Sequence, residues 1–302
     1  MENMKIDIVL LTKNSFSRCE KGVFEECLET VKKEIPIKNL IVVDCFSKDD
    51  TLRILKNHFP DKLKLIQSDA LRGKAREIGI KNVETEYFMF VDDDVILSPC
   101  WFDKAVRFFE NDPNVGAVWG VDRVYRHGKR TGGTILMSKV RNMTPDEIMI
   151  RNFKIRGGTH DILIKTEIVK NIVIPADLHI YEDAFIKEYI EHKGYKVIPT
   201  SDVWCIHKRP RSNWNVAKGV QLAFLEQKYG YLHYHTLYYV LRNFVLSFPK
   251  ALLIYVLSRN IGESVDQFLY YTMMLIGILK TKPYHVKRID RFELMEMISD
   301  EA

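Results

Sequence analysis

The stretch Tyr87–Pro99, YFMFVDDDVILSP, decides the reading of the chain. Tyr87 to Val91 run without a polar break. That is the pattern of a strand covered on both faces of a parallel sheet. The run ends in three successive carboxylates, Asp92, Asp93 and Asp94. Ligands of open α/β sheets bind outside the carboxyl ends of strands. Three carboxylates there repel one another, and a hard divalent cation, Mg²⁺ or Mn²⁺, relieves the repulsion while keeping positions free for phosphate oxygens. The alternative is an acidic loop that only caps the next helix.

Upstream, the same alternation repeats. Ile6 to Leu11 is a nearly continuous apolar run, and the strand beginning near Lys38 ends at Asp44. Asp49 to Phe59 has helical spacing at Leu52, Leu55 and Phe59, with Ser47 or Asp49 as its cap. Leu63 to Ile66 is a third strand, Leu71 to Val83 a helix, and Tyr87 to Val91 the fourth strand. Strands alternating with helices at this pitch predict an α/β fold with a mostly parallel sheet. Downstream, Val115 to Val121 and Asp161 to Ile164 read as strands, Asp183 to Lys193 as a helix, and Lys196 to Ile198 as a strand. Arg123 to Gly133, RVYRHGKRTGG, reads as a mobile basic loop.

Composition narrows the class. The 302 residues are 46% hydrophobic and 28% charged. Those values fit one large domain or two and exclude a disordered tail, a collagen or a disulfide miniprotein. A net charge of +5 gives no argument for nucleic acid. Five cysteines without a CxxC pair read as reduced thiols in an intracellular compartment. The first residues, MENMKIDIVLL, place Asp7 inside a short apolar run, which reads as a buried strand and not a signal peptide.

Several further residues can do chemistry. Asp44 sits at a strand's carboxyl end, where it can face a ligand. Arg76, in LRGKAREIG, can neutralise a diphosphate, while Arg72 and Lys74 of the same segment read as a solvated basic face. Glu182 and Asp183 open a helix, where the dipole favours carboxylates; a general base for an acceptor hydroxyl is the competing reading. His207, in WCIHKRPRSNW, precedes Lys208, Arg209 and Arg211, a setting for a polyanion and its metal.

Taken in order and spacing, VLLTKN, VVDCFSKDDT, GKAREIG, FMFVDDDVILSP, RGGTHDILIKTEIV, YEDAFIKEYIEHKGYKV and His207 resemble the inverting family 2 glycosyltransferases. The resemblance covers roughly residues 5–210. It implies the GT-A fold and transfer of one sugar from a nucleotide-diphosphate sugar to a hydroxyl or phosphate acceptor. By that resemblance Thr12 and Asp44 contact the base and ribose region, Arg76 stabilises the nucleotide, and Asp93 lies near the ribose. Asp92 and Asp94 hold the metal, Asp94 foremost, and His207 completes the site with help from Arg209 or Arg211. Gly157 and Gly158 let backbone approach donor sugar and acceptor. Asp183 is the base, with Glu182 beside it. Cys45 stands where many members carry a second acidic residue, which loosens the assignment to uracil, so UDP-sugar comes first and GDP-mannose second. The Gln-x-x-Arg-Trp signature of processive synthases is missing, which implies single-sugar transfer. A nucleotidyltransferase would want a glycine-rich loop after its first strand, and LLTKNSFSRCE has no glycine. A non-catalytic nucleotide-binding adaptor on the membrane is disfavoured by the intact acidic groups and His207.

The expected division is a catalytic domain over residues 1–212 and an amphipathic helical region over 213–302. From Val203 to Lys250 there are seven Lys/Arg and one acidic residue, Glu226. No stretch of 18 uncharged apolar residues occurs, so no spanning helix is predicted. Aromatic and aliphatic residues interleaved with cations predict helices lying in a membrane interface; the alternative is a helical bundle packed on the catalytic domain or on a second subunit. A lipid-linked glycan or lipid-phosphate acceptor follows, with the enzyme peripheral on the cytoplasmic face.

Overall fold

The computed structural model describes residues 4–126, 129–130, 132–208, 216–231, 236–281 and 289–300. Two compact units emerge, one comprising residues 1–125 and 146–210, the other 126–145 and 211–301.

The strands are β1 (Ile6–Thr12), β2 (Ile37–Asp44), β3 (Leu63–Gln67), β4 (Tyr87–Val91), β5 (Val95–Leu97), β6 (Val115–Arg126), β7 (Lys129–Arg130), β8 (Asp161–Lys165) and β9 (Lys196–His207). Eight of them line up as β3-β2-β1-β4-β8-β6-β9-β5. β3, β2, β1 and β4 are mutually parallel. β8 enters antiparallel to both β4 and β6, β9 is parallel to β6, and β5 is antiparallel to β9. The sheet is parallel where the alternation was cleanest and mixed beyond it.

The apolar runs explain the layering. β4 is buried at every position and β1 at all but one, as continuous apolar strands require when helices cover both faces. The helix Val23–Glu34 buries Val23, Phe24, Cys27, Leu28 and Val31 at helical spacing. The helix Trp101–Asn111 does the same with Trp101, Phe102, Ala105, Val106 and Phe109.

Register then aligns the strand ends. Thr12 is paired with Asp44, and Leu10 with Val91. The carboxyl ends of β1, β2 and β4 therefore open on one edge of the sheet.

Two local expectations are corrected. The segment read as a loop from Arg123 continues β6 as far as Arg126, and a helix spans Gly132–Arg141; residues 127, 128 and 131 lie outside the described residues. Arg123 is pinned there, its guanidinium 4.2 Å from the Trp204 ring centroid and 2.7 Å from Asp146 Oδ2. The next helix spans Thr51–His58 after Asp50, and Asp49 Oδ1 accepts from its first amide, Thr51, at 3.1 Å, but Ser47 makes no such cap. Ser47 turns back onto Asp44 instead.

The second unit is helical. The helices Val216–Lys228 and Ile261–Thr281 approach so closely that a Cβ on Gly219 would stand 2.2 Å from the Met273 carbonyl oxygen. Helix Thr236–Ser258 continues through Pro249. It contains an 18-residue window, Val240–Leu257, with mean hydropathy 1.5 and 22% of the window buried. The expectation of no segment of spanning length is therefore corrected. Arg242 and Lys250 interrupt the apolar run without ending the helix, so length and mean hydropathy both suffice.

Candidate active site

At the carboxyl end of β1, the Thr12 hydroxyl donates to Asp44 Oδ1 at 2.8 Å. The Ser47 hydroxyl and amide donate to the same carboxylate, at 2.5 Å to Oδ1 and 2.8 Å to Oδ2. Asn14 joins the two loops, its amide donating to Ser47 Oγ and its side-chain oxygen accepting from the Lys48 amide. Asp44 is fully buried, and its oxygens are occupied within the protein.

The aspartate triplet splits three ways. Asp93 turns inward, where Ser15 and Arg18 hydrogen-bond to its carboxylate. Burial pushes its carboxyl above the usual range, against the pull of Arg18. The expectation of a ribose contact for Asp93 thus meets a residue tied to the helix Ser15–Arg18. Asp94 is buried, with Oδ1 2.9 Å from His207 Nε2. The two are close because β9 ends at His207, which is paired with Val95 of β5, the residue after Asp94. Asp92 is the open member, 32% exposed, with Oδ1 3.3 Å from Arg76 Nη2. Burial opposes its ionisation, but neighbouring positive charge, Arg76 foremost, outweighs that and holds it below the ordinary carboxylate range.

Donor atoms of Asp92, Asp94 and His207 lie within 4.8 Å of one another. Two carboxylates and an imidazole nitrogen so disposed fit a divalent cation that keeps positions for outside oxygen ligands.

A polar cleft of roughly 470 Å³ runs from Asp92 to Asp183. Arg72, Arg76, Asp92, Gly157, Gly158, Glu182 and Asp183 all line it. Arg76 is buried against the Phe90 ring, 5.0 Å from its centroid. Among the described residues, its Nε and Nη1 make no hydrogen bond. Buried guanidinium donors left unpaired are costly, and an anion in the cleft would supply their acceptors.

The two acids at the start of the helix Glu182–His192 differ. Glu182 is buried, 3.6 Å from both Arg72 Nε and Arg76 Nε. Burial raises its carboxyl against Arg72, and Asp183 adds to the rise. Asp183 is half-buried, and its Oδ1 accepts from the Ala184 amide at 2.8 Å. The loop between the helix Pro145–Arg156 and β8 fits against Asp183 because residue 157 is glycine: its φ is +72°, and a Cβ would stand 2.7 Å from the Asp183 carbonyl oxygen. Gly158 packs as closely, with a Cβ position 2.9 Å from Trp119 Nε1.

Sequence reading set Arg72 aside as part of a solvated face, yet it lines the cleft beside Glu182. It also missed Asp122, Trp119 and His160, which line the same cleft. The available signal was an acid inside an apolar strand, GAVWGVDRV. Arg209 and Arg211 lie outside the described residues.

The sequence matches the family described as Glycosyl transferase family 2 over residues 7–172. It is 32% identical over 112 residues to the poly-β-1,6-N-acetyl-D-glucosamine synthase of Staphylococcus epidermidis, covering 35% of this chain and 26% of that protein. The chain thus spans about a quarter of the length of that curated relative. In fold it is similar to the mannosyltransferase PcManGT of Pyrobaculum calidifontis, solved with GDP-Man and Mn²⁺. That likeness has a TM-score of 0.54 at 17% identity and covers 99% of this chain and 81% of that one. It is similar also to residues 1–349 of S. aureus TarS solved with UDP-GlcNAc, with a TM-score of 0.50 at 16% identity and 92% of each chain covered.

Proposed function

The chain belongs to glycosyl transferase family 2, and from that premise we propose that it transfers a single sugar from a nucleotide-diphosphate sugar to an acceptor, with inversion. One observation carries the reading: a single cleft holds Arg76 with unfilled donors beside Asp92 at one side and the accessible Asp183 at the other. UDP-sugar is the first donor and GDP-mannose the second. The solved neighbours named above hold one of each kind.

The proposed roles are these. Thr12 and Asp44 frame the nucleoside end through their mutual bond. Asp93 holds the helix Ser15–Arg18 under the strand ends. Arg76 and Arg72 take the diphosphate oxygens, and Glu182, buried between them, fixes both guanidinium groups. This reading moves Glu182 from proton transfer to positioning. Asp92, Asp94 and His207 would hold Mn²⁺ or Mg²⁺, which when bound supplies positive charge against the departing diphosphate. Asp183 takes the proton of an acceptor hydroxyl from the other side of the cleft. Gly157 and Gly158 bring the loop against Asp183 and Trp119, so the acceptor meets backbone there. Residues 1–212 form the catalytic domain in this reading.

For residues 213–302 the reading is a membrane-facing region. Helix Thr236–Ser258 exposes Tyr238, Leu241, Val245, Leu246, Phe248, Leu252, Leu253, Tyr255 and Val256. Val240, Asn243, Ser247 and Ile254 are buried. A stripe of that kind beside Arg242 and Lys250 suits the acyl–headgroup boundary of a bilayer. The acceptor is then lipid-linked and the enzyme sits on the cytoplasmic face.

A panel of UDP- and GDP-sugars with Mn²⁺ tests the reading, with released nucleoside diphosphate as the readout. Slow, metal-dependent release from one donor is expected, accelerated by vesicles carrying a polyprenyl phosphate. Release from none of the donors contradicts it.

A further inference from the structure

Beside His207 lies a chain of buried groups, part of the cleft lining, to which the roles above assign no function. His207 Nδ1 is 3.4 Å from Asp122 Oδ2, and the same oxygen is 3.6 Å from His160 Nε2. His160 Nδ1 is 2.6 Å from Asp161 Oδ1, and Trp101 Nε1 donates to Asp161 Oδ2 at 3.1 Å. Trp119 Nε1 donates to His160 Nε2 at 3.2 Å. All six side chains are buried. They come from β6, β9, the start of β8 with the residue before it, and the start of the helix Trp101–Asn111, brought side by side by the β8-β6-β9 pairing.

Elementary valence fixes the proton on one ring. An indole N–H only donates, so His160 Nε2 accepts, and neutral His160 carries its proton on Nδ1, toward Asp161. The same logic applies one step outward. His207 Nε2 faces Asp94 on the metal side. To offer a lone pair there, the ring must carry its proton on Nδ1, which faces Asp122. A metal-ligating histidine whose other nitrogen donates to a carboxylate is held in both tautomer and orientation.

We propose that Asp122 is the positioning residue of the metal centre: its carboxylate accepts from His207 Nδ1–H and aims Nε2 at the cation shared with Asp92 and Asp94. Asp122 is held through its strand neighbour: Arg123 is anchored by Asp146 and Trp204. The inference rests on the metal reading of the preceding subsection.

The test is Mn²⁺ affinity of the full chain in the presence of UDP, read from the electron paramagnetic resonance signal of free Mn²⁺. Wild type is compared with Asp94→Ala and Asp122→Asn, with melting temperatures alongside. Asp122→Asn keeps the shape and removes the charge, so its affinity should fall about 10- to 100-fold, the usual loss for such a partner, with little change in melting temperature. Affinity within twofold of wild type, while Asp94→Ala abolishes binding, overturns the proposal and leaves the metal reading standing. Equal, negligible binding by wild type and Asp94→Ala overturns both. A readout on the unmutated chain covers the case in which Asp122→Asn does not fold. In the Mg²⁺- and UDP-loaded, ¹⁵N-labelled protein, with His207 assigned by comparison with His207→Gln, long-range ¹H–¹⁵N correlation should place the ring proton on Nδ1. A proton on Nε2 overturns the proposal.

Discussion

Two neighbouring groups of carboxylates behave differently. Around the ends of β1 and β2, polar groups satisfy one another: Thr12 and Ser47 occupy Asp44, and Ser15 and Arg18, just after β1, occupy Asp93, which turns inward from the end of β4. At the ends of β4 and β9, Asp92 and Asp94 share space with His207, and Arg76 keeps two nitrogens without hydrogen-bond partners among the described residues. The first group ties loops to the sheet. The second holds unsatisfied charge at the edge of a cleft, which costs folding energy and suits a charged ligand. Residue type does not separate the two, since both are rich in aspartate; the number of internal partners does.

Substitutions should therefore sort by region. The largest effect is expected of Asp94→Ala. Losing a metal ligand removes several kcal/mol of leaving-group stabilisation, so turnover should fall on the order of 10³-fold or more. The melting temperature should hold or rise, because a crowded carboxylate is gone. Next, Asp183→Asn should lower turnover about 10²- to 10⁴-fold with donor affinity unchanged in a binding titration. An equal loss of donor affinity would put Asp183 on the donor side and blur the contrast.

Arg18→Ala probes the satisfied group. It leaves the buried Asp93 carboxylate without its cation, and because Arg18 is itself half exposed the cost should be about 2 kcal/mol. Urea unfolding measures that loss, and metal-dependent nucleotide binding should survive in the folded fraction.

Glu182→Gln gives the smallest effect, seen in the pH dependence of stability. Burial raises the folded-state value of Glu182 above its unfolded one, so the folded chain binds this proton more tightly. Stability from this group therefore falls as pH rises from the ordinary value of about 4.3 through the raised one. Removing the carboxyl should flatten that decline, and denaturant midpoints across the range would show it. The donor KM should rise as Arg72 and Arg76 lose their shared anchor.

Much of this was legible in the residues. YFMFV, IVVD and IDIVLL announce buried strands because apolar runs of that length have no other place in an α/β protein. Their terminal aspartates lie where such sheets bind ligands. The division of labour inside the triplet was not legible, because it depends on which way each carboxylate turns, and Arg18 enters from 75 residues away. Asp122 and His160 were missed for a related reason. Asp122 is an acid within an apolar strand and His160 sits just before β8, and only the pairing of β6 with β8 and β9 sets them beside His207. Arg123 was read as loop because its cation suggested solvent, whereas Trp204 supplies a ring for it to cover.

The central claim is that the open group at the ends of β4 and β9 is a metal-dependent donor site. Isothermal titration of wild type and Asp94→Ala with UDP and GDP, each with and without Mn²⁺, tests it most directly. The account predicts that wild type binds one nucleotide only when Mn²⁺ is present and that Asp94→Ala does not bind it. Binding of equal strength without metal, or unimpaired in Asp94→Ala, would contradict it.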